Sequence, residues 1–272
     1  MEYLVVVDLE GVNNVVGDAY SGLGKNIPDY KIATEQAVLE INSAVKALFD
    51  GGATTVAVWD NHGGSKNIDF SKVDSRVIKY DQAYPCINRY EFCKNHNFKG
   101  AVFIGYHTKE GAINGVLAHT YNSSSIQYFK VGGKAYGEFE IDATLMSAYG
   151  IKPLFASGDS VFIKEVKEFS PLTEVVETKK ALGRNKAQFN DNSVVLQNIY
   201  NGVLKAMQKD IPLAKIPLPN DIEIRYTRTE RATEVITEQK TLFNRDFTYG
   251  EDAHIIKGYL NNTDDLKHSI IT

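Results

Sequence analysis

The chain has 272 residues, of which 43% are hydrophobic and 24% charged, with a formal net charge of −4 and a pI near 5.9. That suits one large globular domain or two modest ones, with enough apolar residues to bury a substantial core. The charge balance offers no cationic surface to nucleic acid or anionic lipid, and no apolar run reaches the ~20 residues of a membrane span, so neither partner is expected.

The first apolar run, "YLVVVDLEGV" (Tyr3 to Val12), reads as a buried strand of the mature fold rather than a signal peptide, which makes a cytoplasmic location the expectation. It is followed at once by two acids, Asp8 and Glu10, and burying unpaired carboxylates costs several kcal/mol, so a positive partner is expected there. A loop then leads to a helical pattern from Tyr30 to Asp50, with Val38, Ile41, Val45 and Leu48 at helical spacing and Gly51-Gly52 as a stop. Strands follow at "TTVAVWD" (Thr54 to Asp60) and, after a polar stretch with Pro85, at "GAVFIGY" (Gly100 to Tyr106). Strand, helix, strand at this spacing is the βαβ signature of a parallel sheet.

Ile126 to Tyr136 reads as a hairpin turning at Gly132-Gly133, Gly137 to Tyr149 as a helix, Lys152 to Ala156 as a strand, and Asp159 to Phe169 as a short helix. After Pro171 the character changes: a long helix over Asn192 to Lys209, a Pro-punctuated link, an alternating "IEIRYTR", a helix-like "TERATEVI", and a final helix near Asp252 to Leu260. The expected class is α/β, an N-terminal mostly parallel sheet flanked by helices with a smaller α+β C-terminal unit. The expected domains are 1–170, which binds metal and carries the catalysis, and 171–272, which contributes subunit contacts. Cys86 and Cys93 fit neither a zinc knuckle nor a redox pair and are expected reduced and partly buried.

Three strands end in groups of one kind. The first releases Asp8 and Glu10, the second ("WDNH") Asp60 and His62, the third ("IGYH") His107. In an open parallel sheet the carboxyl ends of the strands meet on one edge, where ligands bind. Carboxylate with imidazole is the donor set for zinc, manganese or cobalt. Asp8 and Glu10, two apart, aim to one side. His119 and Glu138 lie downstream as further candidates, with a helix N-terminus as the plain explanation for an acid at Glu138. His96, His254 and His268 sit in polar or terminal contexts and read as bystanders.

The stretches "VDLEG", "DNHGG", "GAVFIGYH", "GVLAH" and "GEFEIDA" occur here in the order and approximate spacing of the zinc-dependent D-aminopeptidases, also known as dipeptide transport proteins, which the chain resembles over its first 160 residues and more loosely to its end. The resemblance implies a two-domain α/β protein assembled into stacked rings around a channel, up to a decamer. It implies hydrolysis of the N-terminal residue of short peptides, notably those beginning with a D-amino acid. Position by position it makes Asp8, Glu10, His62, His107 and Glu138 the ligands of two zinc ions, with Asp8 bridging, and His119 the catalytic residue that is not a ligand. Two departures bear on substrate preference: Val6 stands where serine is usual, and "TKEGAING" lacks a common proline.

Metal-assisted amide hydrolysis is the expected chemistry, with His119 as proton shuttle or oxyanion stabiliser. Gly158-Asp159 is a candidate for a substrate carboxylate, while Arg184, Arg225 and Arg228 read as solvated or subunit-facing. Rival readings are a haloacid-dehalogenase-like phosphatase, faintly echoed in "SGDSVFIKE", a DEDD-type exonuclease, disfavoured by the acidic pI, and a non-catalytic peptide- or metal-binding protein.

Overall fold

The computed structural model describes residues 1–82 and 88–270, so the expectation for Cys86 lies outside the described residues. In chain order the elements are β1 (Glu2–Val7), α1 (Pro28–Asp50), β2 (Thr55–Asp60), β3 (Ile78–Tyr80), β4 (Phe98–Tyr106), β5 (Ile126–Val131), β6 (Lys134–Ala135), α2 (Glu138–Ser147), β7 (Lys152–Asp159), α3 (Ser160–Phe169), β8 (Glu174–Gly183), β9 (Lys186–Phe189), α4 (Asn192–Met207), β10 (Asn220–Tyr226), α5 (Thr229–Phe243), β11 (Thr248–Tyr249), β12 (Ile255–Leu260) and α6 (Thr263–His268). A seven-stranded sheet runs β3-β2-β1-β4-β7-β8-β9, parallel except for the β8–β9 pair. A five-stranded antiparallel sheet runs β11-β12-β10-β5-β6.

β1 is apolar throughout because it is central and covered on both faces. Tyr3, Val5 and Val7 enter the core beneath α1 and α4, while Leu4 and Val6 enter the core on the other side. That second core is one apolar cluster joining β1, β2 and β4 through α2 to β5, β10 and β12. All ten residues of α2 are buried, as expected of a helix packed between two sheets.

Sheet membership cuts across the boundary expected at 170. Beyond it, β8, β9 and α4 complete the first sheet and its helical cover, while β5 and β6, before it, belong to the second sheet. One element was misread. The segment expected as a final helix near Asp252 to Leu260 forms β12 instead, paired antiparallel with β10 from Asn220↔Leu260 to Arg225↔Ile255, and the closing helix is α6. Ile255 and Ile256 are β-branched and favour the strand, and Gly258 lets Phe247 pack against the backbone. Among the described residues no helix is long and apolar enough to cross a membrane.

Candidate metal centre

The chain leaves β1 for β2 on one side and reaches β4 on the other, so the strand order reverses at β1. A crevice opens at the carboxyl ends of such strands. Backbone bonds tie the two exits together: Asp8 N donates to Ile104 O at 2.8 Å and Gly11 N to Gly105 O at 2.7 Å. Gly105 has φ +72, and a Cβ there would strike the Asp8 carbonyl oxygen and lie 2.7 Å from Val12 Cγ1. The pairing of β4 with β7 is irregular between Phe103 and Tyr106, and this bend turns His107 towards Asp8. Gly105→Ala is therefore expected to destabilise the fold by about 2–4 kcal/mol, from backbone strain plus overpacking, and to lower metal content. Denaturant unfolding with metal analysis checks this; parental stability would refute the close approach.

Four of the sequence-predicted ligands surround the fifth, Asp8. His62 Nδ1 lies 2.8 Å from Asp8 Oδ1 and 3.1 Å from Glu10 Oε2. His107 Nε2 lies 3.4 Å from Asp8 Oδ2 and 3.3 Å from Glu138 Oε1. One carboxylate thus faces a different imidazole with each oxygen. His119 joins from the side: its Nε2 is 3.5 Å from Glu138 Oε1, and its ring stacks on His107 with centroids 3.9 Å apart. Asp8, Glu10 and His107 offer ligand atoms within 4.8 Å of one another, as do His107, His119 and Glu138.

The donor set fits a cation. His107 Nδ1 lies 3.0 Å from the Thr108 carbonyl, which only accepts, so Nδ1 carries a proton and the neutral ring has Nε2, aimed at two carboxylates, as its ligand atom. Both His107 Nε2 and Glu10 Oε2 are buried without a hydrogen bond. Acceptors facing acceptors in a buried site need a positive charge between them. With no cation between them the imidazoles are themselves drawn towards the charged form, which is the same demand of the carboxylates for positive charge. Burial works against a charged imidazole, yet the Glu138 and Asp8 carboxylates outweigh it and drive His107 well above the ordinary histidine value. Burial likewise opposes charge on His62, and Glu10 and Asp8 outweigh it. Burial also opposes ionisation of Asp8, but His107 and His62 hold its carboxyl well below the usual carboxylate range.

Several neighbours hold this arrangement. Asp60 lies at the end of β2 but turns back, accepting from Asn67 N at 2.6 Å, Asn67 Nδ2 at 3.0 Å and Ile68 N at 3.2 Å, so it shapes the loop that carries His62. Asp159 caps α3 through Val161 N and Phe162 N, and accepts from Val116 N at 3.0 Å. It organises the His107–His119 loop, and its carboxylate is committed to three backbone amides. Arg184, read from sequence as solvated or subunit-facing, donates to the Ala118 carbonyl and accepts Leu117 N at 2.8 Å through its own carbonyl, bracing the residue before His119. Arg225 pairs with Asp252 and Arg228 with Glu230, as surface cations do.

Sequence reasoning missed Lys179. It is fully buried on β8, and its ammonium donates to the carbonyls of Glu10, Val12 and Val15 at 2.6, 2.7 and 2.6 Å. Burial pushes it down to about 8. It fixes the loop that presents Glu10. A second buried polar cluster, around Asp142 and Arg89, lies against the site and was also missed.

A family model described as D-aminopeptidase, peptidase M55, matches residues 1–244. The chain belongs to this family. Membership in the D-aminopeptidases makes it an enzyme, a peptidase, and sets aside the phosphatase, exonuclease and non-catalytic readings. The "SGDSVFIKE" echo is only the end of β7 and the capped start of α3. The Zn-dependent D-aminopeptidase DppA from Bacillus subtilis, described as a self-compartmentalizing protease, shares the fold with a TM-score of 0.87 over 99% of this chain and 95% of that chain, at 18% identity. No curated protein matches the chain.

Proposed function

We propose that this D-aminopeptidase family member is a zinc-dependent aminopeptidase that removes the N-terminal residue, D-configured by preference, from short peptides. Asp8, Glu10, His62, His107 and Glu138 are the residues that would hold two cations in this reading, with a carboxylate oxygen of Asp8 available to each. Its main support is the division of Asp8: Oδ1 faces His62, which also meets Glu10, and Oδ2 faces His107, which also meets Glu138. Zinc is favoured by the mixed carboxylate and imidazole donors and by the zinc dependence of DppA, and manganese or cobalt suits the same donors. When bound, such ions supply Lewis acidity, polarising a carbonyl and lowering the pKa of water.

The chain's own groups do the rest. His119 Nδ1 lies 2.8 Å from the Leu117 carbonyl, which leaves Nε2 as the atom that takes up or releases a proton. That atom faces the Glu138 side of the site. Tyr121 N donates to Glu138 Oε1 at 2.7 Å and fixes the carboxylate beside it. A proton held at Nε2 can pass to the leaving amine, or its N–H can donate to the developing oxyanion. A ring assembly in the cytoplasm completes the reading, the assembly supported by DppA's description as a self-compartmentalizing protease.

Metal analysis followed by assay on paired D- and L-aminoacyl substrates is the deciding experiment. Chelation is expected to remove activity, and zinc, cobalt or manganese to restore it. Full activity in metal-free protein would overturn the proposal, and faster turnover of the L-substrates would overturn its stereochemical part.

A further inference from the structure

α2 presents two acids on one face, Glu138 and, one helical turn later, Asp142. Glu138 faces His107. Asp142 is wholly buried and lies at the centre of a ring of donors. Its Oδ2 accepts from Asn61 Nδ2 at 3.0 Å and Tyr106 OH at 2.9 Å; its Oδ1 accepts from Tyr121 OH at 2.9 Å and from Tyr90 OH. A carboxylate has about four acceptor directions, and these donors fill them. Arg89 Nη2 sits 3.5 Å from both oxygens, with its guanidinium against the rings of Trp59, Tyr90 and Tyr121.

The identity of the partners matters more than their number. Asn61 immediately precedes His62, and Tyr106 immediately precedes His107. Tyr121 sends its backbone N–H to Glu138. Asn61 and Tyr106 are also joined to each other, Nδ2 to OH at 2.9 Å. Asn61 and Tyr106 are the residues directly before His62 and His107 where the chain leaves β2 and β4, so holding residues 61 and 106 restrains the backbone from which 62 and 107 project.

We propose that Asp142, charge-balanced by Arg89, is a positioning residue that locks the exits of β2 and β4 and the backbone at Tyr121 onto α2, and so sets the spacing of His62, His107 and Glu138. This rests on the reading of those three residues as metal ligands. Supporting bonds behind metal ligands are worth about 10–100-fold in metal affinity or activity.

Asp142→Asn is the direct variant, but it leaves the buried Arg89 without its counter-charge and risks misfolding. Tyr106→Phe and Tyr121→Phe remove one donor each with almost no change of shape. Tyr90→Phe is the control, because its hydroxyl meets Arg89 and Asp142 rather than a residue beside a ligand. Zinc affinity is measured by competition with a chromogenic chelator, stability by thermal unfolding of the metal-free protein, and kcat and KM on one substrate. Tyr106→Phe and Tyr121→Phe are expected to weaken zinc binding about 10–100-fold, while Tyr90→Phe keeps parental affinity with a similar loss of Tm. Equal affinity losses in all three, or none in any, would overturn the proposal. A parent protein that binds no zinc would instead overturn the metallopeptidase reading, and the two failures are told apart by the parent alone.

Discussion

His107→Ala is expected to strip the protein of metal and activity together. His107 Nε2 is the group on which both halves of the centre converge, 3.4 Å from Asp8 and 3.3 Å from Glu138. It belongs to both groups of candidate ligand atoms, one with Asp8 and Glu10, the other with His119 and Glu138. Without the imidazole, three buried carboxylates share the site with one fewer ligand, and a shell of three or four ligands does not survive such a loss well. The drop in affinity should exceed the ~10–100-fold that a supporting bond is worth. The variant also loses the ring on which His119 stacks, so turnover falls for two reasons. His254→Ala serves as the control, since that ring bonds the Tyr226 carbonyl in the second sheet and should leave metal content unchanged. Metal analysis after gel filtration reads the outcome. A His107→Ala protein with a full metal complement would remove His107 from the ligand set and with it the convergence on which the centre is built.

The candidate residues were legible in the sequence because a parallel sheet obeys a simple rule. Asp8, His62 and His107 each follow a short apolar run, and such runs in βαβ order end on one edge. His119 and Glu138 stand in the sequence only as further candidates downstream, with a helix start as the plain alternative for Glu138, and their roles come from the resemblance. What holds these residues was not legible. Asp142 sits in "GEFEIDATLM", where an acid amid apolar residues reads as the solvent face of a helix; only the packing of α2 between two sheets makes that face interior. Its spacing of four from Glu138 was the available signal. Lys179 gave none, because a lysine in "ETKKALG" looks exposed until the loop after β1 folds over it. Sheet membership is not legible for a similar reason. β5 finds its partner β10 almost a hundred residues away, a pairing that no local periodicity encodes. β12 is ambiguous in sequence because "HIIKGYL" carries the apolar density of either element, and the β-branched Ile255 and Ile256 favour the strand.

His119→Ala is expected to separate chemistry from metal binding. Its loop is held from every side: Leu117 N to the Arg184 carbonyl, the Arg184 guanidinium to Ala118 O, Val116 N to Asp159, and His119 N to Thr108 O at 3.2 Å. Leu117 at φ +50 and Tyr121 at φ +58 flank it in backbone conformations unfavourable for bulky side chains, each costing on the order of 1–3 kcal/mol. The surrounding bonds offset that cost and fix one imidazole, its tautomer set by Leu117 O, with Nε2 beside the centre. If Asp8, Glu10, His62, His107 and Glu138 already supply the ligands, this nitrogen is free to move a proton. Metal content should then stay near that of the parent while turnover falls about 10²–10⁴-fold, the usual worth of a positioned acid–base group. The 3.5 Å approach of His119 Nε2 to Glu138 makes the competing result concrete. Loss of metal in His119→Ala would make it a sixth ligand. Retention of both metal and full activity would make it a structural histidine, and the proton delivered to the leaving amine would have to come from another group.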